Sequence, residues 1–318
     1  MVTTDTTRSE EALDQTRPES VTDKIASSRP TTVKDTRGYT VFRVFNAVAL
    51  VIICCLTLYP FINVIAQAFS AEVYITRGEV NLVPRGFNLT TFEAVMSDRM
   101  FWRNYQNTLV YTTVATAISM VLTTTFAYAI SKKNLKGRTF FIGVALFTMI
   151  FNGGIIPNYL LVDSLGMRNT LWAIVLPNAI SAFNLLIMKS FFENFPEDLE
   201  EAATIDGLTT YGVFLRIVLP LSKAVIATMI LFYAVFFWNQ WFPAFLYMDR
   251  AELYPVTMYL RNLMAAATST EALGSDSAQI NANVQAVAMV LTMLPIICLY
   301  PFIQKYFVSG VMLGAVKQ

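Results

Sequence analysis

Apolar residues in this chain fall into long blocks separated by short polar stretches. Six blocks are about the length that crosses a bilayer as a helix, approximately 44–69, 107–131, 139–162, 169–191, 223–247 and 284–308. Asn, Gly and Pro interrupt some of them, which leaves their ends loosely set. The third is broken most plainly, by Asn152-Gly153-Gly154 followed by Pro157-Asn158. Interrupted backbone at membrane depth is tolerated where protein or a water-filled cavity satisfies its polar groups, and a kink needed only for packing would use the same residues. The pattern predicts an all-α polytopic membrane protein of six transmembrane helices. Residues 39–106 would hold the first helix and an external loop, and 107–318 a core of five helices.

Residues 1–38 are Thr, Ser, Asp, Glu, Arg and Lys with almost no large apolar side chains, which predicts a disordered polar tail. The first apolar block starts too late and runs too long for a cleavable signal peptide. Composition agrees with the blocks: 55% of residues are hydrophobic and 14% charged, against about 25% charged in soluble domains. Mean hydropathy is +0.51. A net charge of +1 gives no case for nucleic acid. Cys54, Cys55 and Cys298 all lie inside predicted spans and read as buried small hydrophobes, not as a disulfide or metal site. The chain contains no histidine, which weakens the case for a metal further.

Charge sets the expected orientation. Lys132, Lys133, Lys136 and Arg138 cluster between the second and third blocks without one acid, a cytoplasmic signal. Both termini and the 196–220 loop then lie inside, and residues 70–106, 163–168 and 248–283 lie outside. Acids in the 196–220 loop do not oppose this, because Asp and Glu weigh little in the rule.

That loop is the most structured polar stretch. Pro196 suits a first helical turn, and Glu197, Asp198, Glu200 and Glu201 crowd the positive end of the dipole. Gly207 can take the left-handed conformation that ends a helix. Thr209 or Thr210 can cap a second helix carrying Phe214, Ile217 and Val218, stopped by Pro220. Leu199, Ala202, Ala203 and Ile205 leave apolar surface and small side chains on the first helix, a surface suited to docking.

These residues resemble the EAA loop of binding-protein-dependent ABC importer permeases. Glu201, Ala202, Ala203, Gly207, Ile217, Leu219 and Pro220 stand at every position of the spaced Glu-Ala-Ala, Gly and Ile-x-Leu-Pro pattern. From Asn152-Gly153-Gly154-Ile155-Ile156-Pro157 to Trp238-Asn239 the chain is similar to carbohydrate-importer permeases of the polysaccharide-associated branch. The resemblance covers roughly Asn107 to the C-terminus. It implies a transport subunit and not an enzyme, paired with a second permease subunit in a heterodimer. The other partners it implies are two cytoplasmic ATPase subunits and an extracytoplasmic solute-binding protein. The chain itself would need no cofactor, since ATP and Mg would be bound by the ATPase partner. It would sit among the lipids of a bacterial or archaeal cytoplasmic membrane. Glu200, Glu201, Ala202, Ala203, Asp206, Gly207, Ile217, Leu219 and Pro220 are the residues so assigned to ATPase coupling.

The energy source is constrained independently. No acid or base lies mid-span, where a charge costs at least roughly 2.5–3.5 kcal/mol and marks function. Asp163, Lys189 and Lys223 lie near span ends. There is no phosphate-cradling G-x-x-x-x-G-K-[ST] loop either. The alternative to an importer permease, a secondary carrier or channel for a small polar solute, would call for an intramembrane carboxylate or a polar pore stripe. For the solute path the candidates are Asn152, Asn158, Trp238, Asn239 and Trp241. Sugars favour aromatic faces with amides and hydroxyls. An interfacial aromatic belt accounts for Trp241 equally well, whereas polar neighbours and the match to the family's aromatic-Trp-Asn pattern favour the path for Trp238 and Asn239. Gln279, Asn281, Asn283 and Gln285 lead into the sixth block and can face a vestibule or a docked protein.

Overall fold

A computed structural model describes residues 37–271 and 283–298, with side chains placed for 38–265 and 283–298. The polar tail, Gln279 and Asn281 therefore lie outside the described residues, as does the sixth block beyond Cys298. The chain divides into two units, Met1–Leu58 and Tyr59–Gln318. Among the described residues every regular element is helical.

α1 (Arg37–Ala68) begins in the first unit, and nearly every side chain from Tyr39 to Leu58 is exposed. Cys54, Cys55 and Cys298 are exposed too, a correction to the expectation that they are buried. Their apolar character is that of the surface they sit on. The second unit continues with α2 (Glu72–Thr76), α3 (Thr90–Ser97) and α4 (Arg99–Ser131). α5 (Arg138–Ile150), α6 (Ile155–Ser164), α7 (Trp172–Val175) and α8 (Ala182–Glu193) follow. α9 (Glu197–Ile205), α10 (Thr210–Val213), α11 (Leu219–Leu221) and α12 (Lys223–Trp238) come next. The last are α13 (Phe242–Tyr247), α14 (Val256–Glu271) and α15 (Asn283–Cys298).

Two helices, α1 and α4, are continuous spans by length and composition. Three further candidates are bent pairs: α5 with α6 (116°), 172–178 with α8 (51°), and 210–221 with α12 (82°). α15 is a shorter apolar helix. The blocks expected at 139–162 and 169–191 are thus bent, and 223–247 is divided between α12 and α13, which end and begin at Trp238 and Phe242. At Asn152-Gly153-Gly154 the cause is visible. Gly154 has φ +93, open to glycine without strain, and its amide donates to Asn152 Oδ1 at 2.9 Å.

α4 is the axis of the fold. Its 33 residues reach about 50 Å, and it starts eight residues before the sequence block because Asp98 caps it, accepting from the Met100 amide at 2.8 Å. Ala115, Ser119, Thr123 and Ala127, each 0% exposed, repeat every fourth residue. Between apolar helices in lipid, such small side chains permit the close approach that packing requires. α12 and α8 pack against α4. Tyr233 of α12 locks them together: its hydroxyl is 2.6 Å from Thr123 Oγ1 and accepts from the Ser181 amide at 3.0 Å, at the bend before α8.

Toward its Arg99 end α4 holds the 250–259 segment. Asn107 Nδ2 donates to the Glu252 carbonyl at 2.7 Å, Tyr111 to Leu253 at 2.8 Å, and the Val256 amide donates to Thr108 Oγ1 at 2.7 Å. The Tyr259 hydroxyl donates to Asp98 Oδ2 at 2.7 Å. Burial first, then that hydrogen bond, pushes its pKa up, so it stays a donor. Asn283, buried, donates to the Ser70 carbonyl at 2.9 Å, and Gln285 donates to the Leu263 carbonyl. Each amide thus ties α15 to another segment of the chain.

Candidate functional site

All but two of the sequence candidates gather in two places, the 196–220 loop and a cavity. In the loop, Pro196 is the N-cap of α9 and not a residue of its first turn, which carries Glu197, Asp198 and Glu200. The helix closes on Gly207 at φ +86. The Gly207 amide donates to the Thr204 carbonyl and the Leu208 amide to that of Ala203, both at 3.0 Å, the paired bonds of a Schellman cap. Thr209, of the two candidates, caps α10, accepting from the Gly212 amide at 3.3 Å.

Pro220 does not stop the second helix, which runs on through Leu221. The turn at Phe214–Val218 is π-helical, and Pro220 falls in the first turn of α11 just after it. A proline ring clashes with the carbonyl four residues back, and a wider turn relieves that clash without ending the helix. The reversal comes at Ser222, whose hydroxyl donates to the Val218 carbonyl.

Burial sorts the loop residues. Ala203, Val213, Phe214 and Val218 join the core with Tyr128 and Phe192. Ile217 and Leu219 are half-buried against that cluster. Ala203 is therefore small for internal packing, whereas Ala202 is exposed. Glu201, Asp206, Gly207 and Pro220 are exposed, with Ile205 at 85% and Tyr211 at 82%.

Glu200 behaves differently from its neighbour Glu201. It is half-buried and paired with Lys132 at the end of α4. The Tyr128 hydroxyl also reaches Glu200 at 3.5 Å, and the Lys132 ammonium lies 4.4 Å from the Tyr128 ring centre. Further pairs join Lys133 to Glu197 at 3.1 Å, and Glu193 to both Arg138 and Lys189.

The cavity has a volume of about 2190 Å³. Its walls include Thr112, Thr116 and Met120 of α4, Asn152 at the α5–α6 break, Asn158 in the first turn of α6, and Asn178 and Asn184 on either side of the bend into α8. Trp238 and Gln240 close the α12 side. No acidic or basic side chain is among the described residues of this wall. Of the five path candidates, Asn152, Asn158 and Trp238 line it, while Asn239 and Trp241 do not. Asn239 donates to the Val235 carbonyl at the end of α12. Trp241 lies beneath Arg261, whose guanidinium is 4.7 Å from its ring and 4.5 Å from that of Phe245. Trp238 is 6% exposed, edge-on to Tyr105 at 5.8 Å, and its indole N–H has no partner among the described residues.

Residues 133–312 match the family model of the binding-protein-dependent transport system inner membrane component. The chain belongs to this family. As a member it is a permease, a transport component and not an enzyme. The permease is 40% identical to protein LplC of Bacillus subtilis (strain 168), over 90% of its own length and 98% of LplC. It is 38% identical to the polygalacturonan/rhamnogalacturonan transport system permease protein YtcP of the same organism, over 84% and 93%. Among solved structures it is similar to a bacterial ABC transporter involved in the import of the acidic polysaccharide alginate. There the TM-score is 0.78 and identity 31%, covering 86% of the permease and 98% of that chain. Family membership decides between the two readings the sequence left, in favour of the ABC importer permease over a carrier or channel.

Thr112, Thr116, Asn178, Asn184 and Gln240 were not singled out from sequence. Thr112 and Thr116, one turn apart in an apolar block, carried a signal, but threonine is common in spans. Asn178 and Asn184 flank a bend whose position only the fold reveals.

Proposed function

We propose that this permease carries a carbohydrate, an oligosaccharide or polysaccharide fragment, into the cytoplasm. The cargo class is supported by the relatives: one is named for polygalacturonan and rhamnogalacturonan, and a structural neighbour imports alginate. The chemistry of the cavity wall is compatible, since amides and hydroxyls beside aromatic rings suit sugar hydroxyls and C–H faces. Asn152, Asn158 and Trp238 form the solute path. Asn239 and Trp241 act beside it, holding the end of α12 and the start of α13.

The 196–220 loop docks on a cytoplasmic ATPase that supplies the ATP and Mg site. Its basic neighbours Lys132 to Arg138, with both termini, face the cytoplasm. A second permease subunit completes a heterodimer, two ATPase subunits bind beneath it, and an extracytoplasmic binding protein delivers solute. The supporting observation is the split of α9 into two faces. Glu200 and Ala203 turn to the bundle, while Glu201, Ile205 and Asp206 stand exposed beside a left-handed Gly207. Nucleotide shifts the access equilibrium only through its different affinity for the two states. Co-purification in mild detergent tests the assembly: an ATPase, a second permease and a binding protein should be recovered with this chain. Recovery of the chain alone, with sugar uptake intact, would contradict it.

A further inference from the structure

We propose that Lys132 and Glu200 form the strut through which movement of the 196–220 loop reaches α4. This rests on the loop being the ATPase-docking element, and it assigns the 132–138 turn a second role beyond setting orientation. Three observations converge on the Ser131 end of α4. Lys132, the C-cap of that helix, pairs with Glu200 from the first turn of α9. Each charge thus also sits at the favourable end of its own helix's dipole, the cation at a C-terminus and the carboxylate at an N-terminus. Directly beneath, Tyr128 stacks on Phe214 from the second half of the loop at 4.7 Å and meets Phe192 of α8 edge-on at 5.8 Å. Ala203, with no side chain beyond Cβ, brings α9 into the same cluster. A single helix end therefore holds both halves of the loop.

The pair differs from its neighbour. The side chains of Lys132 and Glu200 are 33% and 18% exposed, whereas those of Lys133 and Glu197 are 76% and 72% exposed. Solvent-exposed pairs contribute little, so only the first can transmit a load. The same cation cluster makes Lys133 an internal control, because reversing either lysine changes loop charge equally.

Lys132 and Glu200 are positioning residues, and the readout is solute taken up per ATP hydrolysed in the full reconstituted transporter. Lys132→Glu alone and Glu200→Lys alone should each lower that ratio by roughly threefold or more, the scale of coupling expected for contacting charges. ATPase subunits should remain bound, because Glu201 and Ile205 are untouched. Combining Lys132→Glu with Glu200→Lys should recover part of the ratio, because the pair attracts again while each charge now opposes its own helix dipole, and Lys133→Glu should leave it near normal. Recovery by the exchanged pair cannot arise from topology, since the cytoplasmic turn still lacks its lysine. If Lys132→Glu is poorly inserted, Lys132→Gln against Lys132→Arg gives the same comparison without charge reversal. The proposal is overturned if the exchanged pair stays as impaired as the single variants, if Lys133→Glu does equal harm, or if the ratio never falls. Loss of ATPase binding in Glu201→Lys with a normal ratio in Lys132→Glu would reject the strut while leaving the docking surface intact. Normal ATPase retention and uptake in Glu201→Lys would reject the docking reading itself.

Discussion

The Leu208 amide donates to the Ala203 carbonyl at 3.0 Å across Gly207, tying the end of the exposed acidic helix to the residue that roots it in the core. A Cβ added at Gly207 would touch nothing within 4 Å, so the constraint there lies wholly in its φ of +86. An L side chain in that region costs about 1–2 kcal/mol, most for β-branched residues. Gly207→Val should lower solute-stimulated ATP hydrolysis and uptake together, Gly207→Ala less, and Gly207→Asn least. The three variants, assayed in one reconstituted preparation, check the order.

Glu201 is exposed beside Ile205, Asp206 and Tyr211. If the ATPase offers a cation there, removing the carboxylate leaves that charge unpaired in a closed interface, which commonly costs about 2–5 kcal/mol. Glu201→Ala should loosen ATPase retention in pull-downs, and Glu201→Lys should do so further. Membrane insertion should be unaffected in both.

Orientation is checked by impermeant thiol labelling after Cys54, Cys55 and Cys298 are replaced. Ser131 is buried and so a poor probe, whereas Asn134 and Ser164 are exposed. Ser164→Cys should react from outside the cell and Asn134→Cys only after permeabilisation. The opposite pattern would invert the topology.

The path residues separate by burial. Trp238 is packed against Tyr105, so Trp238→Ala should destabilise the permease by about 3–5 kcal/mol, not merely blunt transport. Asn158 is exposed at the cavity. Asn158→Leu should therefore reduce uptake with assembly and basal ATP hydrolysis unchanged. Normal uptake in that variant would remove Asn158 from the path.

Tyr233→Phe should leave the Ser181 amide without its acceptor and Thr123 without its partner. Leaving buried polar groups unpaired costs about 1–3 kcal/mol. A lower melting temperature in detergent is the expected result.

The helical class and the loop were legible because hydrophobic block length and the glycine and proline positions act locally. Gly207 and Thr209 adopt what their own chemistry favours. Continuity of the spans was not legible. A block reads the same whether or not Gly154 turns it through a bend of 116°, and that bend is set by the Asn152 turn together with packing. The reach of Pro220 was misjudged because a π turn upstream absorbed the clash. Glu200 and Glu201 looked alike because both are acids at a helix start. Only the arrival of Lys132 from 68 residues away separates them. Cavity residues such as Asn184 were invisible for the same reason, since their neighbours are distant in sequence.

The central claim is that this chain passes solute inward under the drive of a separate ATPase. The most direct measurement is uptake of labelled oligosaccharide into proteoliposomes holding the assembled transporter, with binding protein outside and nucleotide inside. Accumulation should require hydrolysable ATP in the lumen and binding protein at the outer face, and should fail with Gly207→Val or Glu201→Lys. Accumulation driven by an ion or proton gradient without ATP, or undiminished in both variants, would contradict the account.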